Sequence, residues 1–241
     1  MNLCLDIGNT RVKVGVFDGA RMLHQTHWPA WTQEGIQALL QRYALRRAIV
    51  SCVASPDPAL LPFLKGIGLN VIELNAKTGL PFTNGYTTPD TLGKDRLAAV
   101  AGAHALYPQR NVLVIDAGTC IKYDCLDANA VFHGGNIAPG LHMRIRAMHE
   151  QTARLPLVPL AMPETYIGYS TETALQNGAL LGAVLEAQGF VALFRQQWPG
   201  LLVLLTGGDA EFLRPRLEQP DLRVEPDLLL IGLNHLLNHN L

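Results

Sequence analysis

One short pattern occurs twice in this chain and limits the folds open to it. Leu3-Cys4-Leu5 runs into Asp6-Ile7-Gly8-Asn9-Thr10, and the apolar run Val112–Ile115 leads to Asp116-Ala117-Gly118-Thr119. Each apolar run suits a buried strand and carries a carboxylate to the strand's end. The glycine that follows lets the backbone turn with no Cβ in the way. After each turn a strand-like pattern resumes, Arg11 to Phe17 and Cys120 to Leu126. Two copies of strand, Asp-x-Gly turn and strand imply a duplicated α/β domain. The expected halves are residues 1–110 and 111–241, with the working site between them.

The remaining periodicities fill in the first half. Leu3–Asp6, Val12–Phe17 and Met22–His27 read as strands, the last two joined by the hairpin signal Asp18-Gly19. A helix from Thr32 or Gln33 to about Leu45 follows, then a strand Arg47–Val53. A short helix Pro58–Ile67, ended by Gly68, leads to a strand Asn70–Leu74. This βββαβαβ order makes a mixed sheet with helices on its faces. Lys77 to Gly93 is polar and aperiodic, a length of loop that is more often functional than structural. Lys94 to Tyr107 reads as a helix with Asp95 in its first turn.

In the second half, Val131–Gly140 reads as strand and then glycine-rich turn, and Leu141–Thr152 as a helix bearing Arg144 and Arg146. Those arginines suit either a phosphate or a solvated helix face. Thr171 to Gln188 reads as a long helix, with Thr171 its N-cap or just inside it. Its small residues, Ala174, Ala179, Gly182 and Ala183, permit close packing within or between subunits. Leu201–Leu205 ends in a third glycine turn, Thr206-Gly207-Gly208, and Pro226–Leu237 closes as an apolar helix.

Composition excludes several classes. Hydrophobic residues at 49% and charged residues at 16% of 241 residues describe a packed globular chain. A net charge of −1 gives no electrostatic case for nucleic acid or an anionic membrane. No apolar run in the sequence reads as a membrane span, and the residues before Asp6 hold no signal-peptide core. Cys4, Cys52, Cys120 and Cys125 lack C-x-x-C spacing and read as free thiols of a cytoplasmic protein.

Facing Asp-x-Gly turns suit a nucleoside triphosphate. Gly8 to Thr10 and Gly118-Thr119 offer N–H groups and hydroxyls to phosphate oxygens. Asp6 and Asp116 repel phosphate themselves but suit a bridging cation such as Mg²⁺ or K⁺. The third glycine turn suits close approach to a flat base. Phosphoryl transfer also needs a proton acceptor, and Asp95 beside Arg96 is the candidate.

Five motifs taken together resemble one family. They are D-I-G-N-T at Asp6–Thr10, Y-x-x-P-x-x-L-G-x-D-R at Tyr86–Arg96, D-A-G-T at Asp116–Thr119, G-G-x-I-x-P-G at Gly134–Gly140 and T-A-x-L-P at Thr152–Pro156. In this order they are similar to type III pantothenate kinase. The resemblance implies the duplicated ribonuclease-H-like fold shared by acetate and sugar kinases, Hsp70 and actin. It implies ATP-dependent phosphorylation of pantothenate, with Mg²⁺ and a monovalent cation, K⁺ or NH₄⁺. By position, Asp6, Ile7, Gly8, Asn9, Thr10, Arg11, Val12, Lys13 and Thr119 then contact ATP. Asp95 accepts the proton, and Tyr86, Gly93, Lys94, Asp95 and Arg96 line the pantothenate site. Asp116 holds the monovalent cation; which carboxylate takes Mg²⁺ stays open, with Asp6 the candidate. Thr171 reaches pantothenate from the neighbouring subunit of a homodimer. A non-catalytic regulatory factor of the same family, and another small-molecule kinase on this fold, are the competing readings. The chain departs from the family pattern after D-A-G-T, where C-I-K-Y-D puts Lys122 in place of a threonine. It departs again after Gly140, where Arg144 or Arg146 is expected to pair across a subunit interface.

Overall fold

A computed structural model of the protein describes residues 1–8, 10–52, 57–217 and 219–240. The described residues form two compact units. The first comprises Met1–Gln109, Ala128–His133 and Asp227–Leu241, and the second Arg110–Asp127 and Gly134–Pro226.

The first unit is built on a five-stranded sheet. Its strands are β1 (Asn2–Ile7), β2 (Val12–Asp18), β3 (Arg21–Trp28), β4 (Arg47–Cys52) and β5 (Asn70–Glu73), in the order β3-β2-β1-β4-β5. The two N-terminal hairpins are antiparallel, while β4 and β5 join in parallel. Gly19 makes the second hairpin turn at a φ of 58°, in the region that L side chains avoid. Helices α1 (Gln33–Arg42) and α2 (Leu60–Gly66) supply the crossovers. Thr32 caps α1 by accepting from the Gly35 amide at 3.0 Å. That helix ends three residues short of Leu45, because Tyr43 is extended. The expected end of β4 at Val53 lies outside the described residues.

The chain then crosses the polar loop. This segment is not wholly loop, since β6 (Thr83–Asn84) pairs in parallel with Val131 and Phe132. Helix α3 (Lys94–Leu106) follows, and its residues 96–103 are all buried. A helix buried all round needs no amphipathic stripe. The run Ala98–Ala103 is small enough for such a site.

The second unit repeats the plan. Its strands are β7 (Val112–Ala117), β8 (Cys120–Leu126), β9 (Val131–Pro139, in the second unit from Gly134 onward), β10 (Leu202–Thr206) and β11 (Leu222–Val224). Their order, β9-β8-β7-β10-β11, is that of the first sheet with each strand replaced by its counterpart. Helices α4 (Leu141–Glu150), α5 (Thr171–Gln176), α6 (Gly182–Gln197) and α7 (Ala210–Leu217) complete it, with a π-helical turn at Asn177–Leu181 between α5 and α6.

Two sequence readings need correction. The G-G at Gly134-Gly135 lies inside β9, not in a turn. A Cβ on Gly135 would stand 1.6 Å from the Tyr123 carbonyl oxygen, so the glycine allows close strand packing there. The last helix, α8 (Leu228–His239), follows the second copy in the chain but packs in the first unit, against α3 and β1. The α3–α8 crossing is close. A Cβ on Gly102 would lie 2.3 Å from the Leu228 carbonyl oxygen, and one on Gly232 1.8 Å from that of Ala98. Asn2 pins α8 to the sheet by donating to Asn234 at 2.7 Å and Asn238 at 2.9 Å. All four cysteines are free, three of them buried, and burial pushes the Cys125 thiol up to about 12.

Candidate active site

Within the first unit, the acceptor motif folds into one corner at the start of α3. Gly93 is its N-cap and Asp95 lies in the first turn. Asp95 Oδ1 accepts from the Arg96 amide at 2.9 Å, which fixes the carboxylate at the helix N-terminus, where an anion is favoured. A Cβ on Gly93 would stand 2.5 Å from that Oδ1, so the glycine leaves room for the carboxylate in this position. Lys94 turns away to Glu73 at 3.6 Å. Arg96 is buried at 3% exposure, unusual for an arginine. Its guanidinium lies 5.1 Å from the centre of the Tyr86 ring and 6.0 Å from that of Phe132. The two rings are stacked within 7° of parallel. The polar loop reaches this position because the Gly85 amide donates to the Phe132 carbonyl at 2.8 Å. Tyr86, Gly93, Asp95 and Arg96 are thus brought together. Phe132, which sequence reading missed, is the floor beneath them.

The expected phosphate loop joins β1 to β2. The Gly8 amide donates to the Arg11 carbonyl at 3.1 Å and closes the turn. Gly8, Thr10 and Arg11 are exposed and Ile7 partly so, whereas Val12 is buried in the core and Asn9 lies outside the described residues. Asp6 is buried at the end of β1. Strand register sets Lys13 opposite it on β2 and Ser51 beside it on β4.

The second unit holds the same row. Asp116 has Lys122 opposite on β8 and Thr206 beside it on β10. In-register neighbours project to one face of a sheet, so each unit carries a Lys–Asp–hydroxyl row on its central strands. Ser51 Oγ and Thr206 Oγ1 are both buried with no hydrogen-bond partner among the described residues, a rare condition. Three glycine segments meet at the end of β7. The Gly140 amide donates to the Thr119 carbonyl at 3.1 Å, and the Asp209 amide to that of Ala117 at 2.9 Å. A Cβ on Gly140 would lie 2.2 Å from the Gly118 carbonyl oxygen, and one on Gly207 equally close to that of Ala117. Thr119 itself is exposed. Burial raises the Asp209 carboxyl above its ordinary value, with His142 opposing the shift.

Both rows set a lysine opposite the aspartate. A carboxylate and a hydroxyl are hard oxygen donors, so Asp6 with Ser51 suits Mg²⁺. Asp116 is already engaged: Lys122 Nζ lies 2.6 Å from its Oδ2. A second monovalent cation on that oxygen, about 4 Å from Nζ, would meet a repulsion of about 4 kcal/mol at an effective dielectric of about 20. The residues present do not fit a loose ion at Asp116 Oδ2.

Three other expectations resolve locally. Ser170 caps α5, accepting from the Thr173 amide at 3.2 Å, and the Thr173 hydroxyl accepts from the Ser170 amide at 3.0 Å. Thr171 is therefore the first helical residue rather than the cap, and it is exposed. Arg144 pairs within the chain, with both Glu186 oxygens at 2.8 Å, and Glu186 Oε1 also accepts from the Tyr123 hydroxyl at 3.2 Å. Burial and Glu186 raise the pKa of that phenol. Arg146 pairs with Glu150 one helical turn away on an exposed face.

Known proteins resemble this chain along its whole length. A type III pantothenate kinase from Bacteroides fragilis is 41% identical over 240 residues, covering 100% of this chain and 98% of that protein. One from Phocaeicola vulgatus is 40% identical over the same length. Among solved structures, a protein described as a Baf family transcriptional activator from Campylobacter jejuni superimposes with a TM-score of 0.64 at 20% identity, covering 99% of this chain and 98% of that one. A protein from Listeria monocytogenes described as an N-acetylmannosamine kinase gives 0.57 at 13% identity, covering 99% of both chains. These two share the duplicated fold. The sequence profile of type III pantothenate kinases matches residues 2–193, and with the full-length relatives it shows that this chain belongs to the type III pantothenate kinase family.

Proposed function

We propose that this protein transfers the γ-phosphoryl group of ATP to the primary hydroxyl of pantothenate, the first step of coenzyme A synthesis. The corner at Gly93–Arg96 carries the reading. It sets a fixed carboxylate beside a buried guanidinium stacked on two aromatic rings. The guanidinium supplies a planar partner for a substrate carboxylate, and Asp95 a proton acceptor for its alcohol. The substrate oxygen forms a bond to the γ-phosphorus, the bond to the bridging oxygen breaks, and ADP leaves. The hydroxyl proton passes to Asp95. We assign phosphate contacts in the first unit to the turn from Asp6 to Lys13 and in the second to the exposed Thr119. Asp6 is the carboxylate suited to Mg²⁺, which when bound with ATP draws charge off the phosphate oxygens.

We assign the active form to a homodimer in a cytoplasmic setting. Thr171 stands exposed at the start of its helix, next to Tyr166 and Tyr169, which are 81% and 82% exposed. Leu185 and Leu193, in α6 beyond the π-helical turn, are 58% and 60% exposed. Large apolar side chains left open in this way suit a protein partner.

The test of the chemistry is turnover with ATP and pantothenate, with acetate and glucose as controls. Asp95→Asn should lower kcat by about 10²–10⁴-fold, since Asn keeps the shape and loses the basicity. Near-normal turnover by that variant would remove Asp95 from the mechanism. Turnover on acetate or glucose alone would remove the substrate assignment.

A further inference from the structure

We propose that Lys122 is a built-in monovalent cation: its ammonium neutralises Asp116 permanently, and the kinase works without K⁺ or NH₄⁺. The inference rests on the kinase reading above. Strands β7 and β8 are antiparallel neighbours whose register sets Lys122 directly across from Asp116. Nζ lies 2.6 Å from Oδ2, and the two side chains are 14% and 10% exposed. The lysine head is a primary ammonium with three N–H donors, chemically the nearest side chain to NH₄⁺. Hairpin pairing holds this ammonium in place, whereas a dissolved ion must be captured from solution.

The location gives the charge a use. Asp116 ends the strand from which the Gly118-Thr119 turn departs, and the Gly140 and Gly207 segments close on that turn. An unneutralised carboxylate there would repel a phosphate brought to the turn. Lys122 cancels that charge.

The test compares wild type and Lys122→Thr in choline chloride, KCl and NH₄Cl at equal ionic strength. Wild-type turnover should vary by less than about twofold among the three salts, because no step then waits on ion binding. Lys122→Thr should lose roughly 10²-fold in choline chloride, as expected for a missing charge at the phosphates, and recover in KCl or NH₄Cl. Melting supplies a second readout, since an ion bound only by the folded protein raises Tm. Lys122→Thr should melt higher in KCl than in choline chloride, and wild type should not. A wild-type enzyme that needs KCl or NH₄Cl for turnover, or whose Tm rises specifically with KCl, overturns the proposal. These wild-type arms decide the matter even where the variant fails to fold. Absence of pantothenate turnover in every salt would count against the kinase reading alone, and the wild-type melting comparison would still decide the role of Lys122.

Discussion

Gly93 shows how one missing methyl group controls a functional carboxylate. Its φ of −57° is open to any residue, so only space favours glycine here. An alanine would press its Cβ on Asp95 Oδ1, the end of a short side chain that can swing aside. Gly93→Ala should therefore fold with nearly wild-type Tm yet lose about 10–10²-fold in kcat, because a proton acceptor displaced by about 1 Å misses its alcohol. Steady-state kinetics with a parallel melting curve check this. At this scale the sequence was informative about residue types. Asp6 and Asp116 stood out because each ends an apolar run at a repeated glycine turn, and Asp95 and Arg96 because they open the helix after the long polar loop. The partners were harder to see. Phe132 sits in an unremarkable strand, and only the bonding of Gly85 to its carbonyl brings it under Arg96. Lys122 was readable in principle. Counting outward along both strands from the Gly118 turn sets it opposite Asp116, as counting from the Gly8 turn sets Lys13 opposite Asp6.

Among elements, the pairing of α3 with α8 creates a pH dependence. His104 Nδ1 lies 3.1 Å from His235 Nε2, so one ring donates and the other accepts only while the pair keeps a neutral acceptor. Burial lowers the pKa of both rings below the ordinary 6.5; the neighbouring His239 lowers both further, and His104 adds to the shift at His235. Folded values below the unfolded value mean that the pair's stabilisation is present above about pH 6.5 and is lost as pH falls through the folded values. Tm should thus drop between pH 7.5 and pH 5.5, and His235→Gln should flatten the drop. A pH-independent Tm over that range in wild type would sink this reading. The helix pair was only half legible in sequence. Both helices announced themselves, α3 after Gly93 and α8 by its apolar run. Their mutual contact did not, since it is made by Gly102 and Gly232, residues whose meaning depends on the backbone they touch. The same holds for Gly135, which resembles a turn residue until β8 is laid against it.

Across the molecule, the duplication expected from two Asp-x-Gly turns extends to five strands in one order and to a Lys–Asp–hydroxyl row in each copy. Sequence showed the repeat because strand ends are local. It assigned α8 to the wrong cluster because packing partners are not. Assembly is tested at this scale. If Thr171 completes the site of a second subunit, Asp95→Asn and Thr171→Ala subunits are each poor alone but regain activity on mixing. The mixed dimer pairs the intact Asp95 of one subunit with the intact Thr171 of the other. Recovery approaching half the wild-type rate per mixed dimer is expected, because one of its two sites is whole. No recovery on mixing, with exchange of subunits verified by mass, would place Thr171 outside the neighbour's site.

The position of α8 also bears on how the protein is made. Domains generally fold as units in the order of synthesis, the earliest first. Here the earliest residues cannot bury α3 and β1 against their proper cover until 228–239 have been translated. The later-made unit, which needs nothing beyond Pro226, is free to mature before the one that precedes it. Nascent chains halted just short of Asp227 would leave an unfinished apolar surface for chaperones to shield.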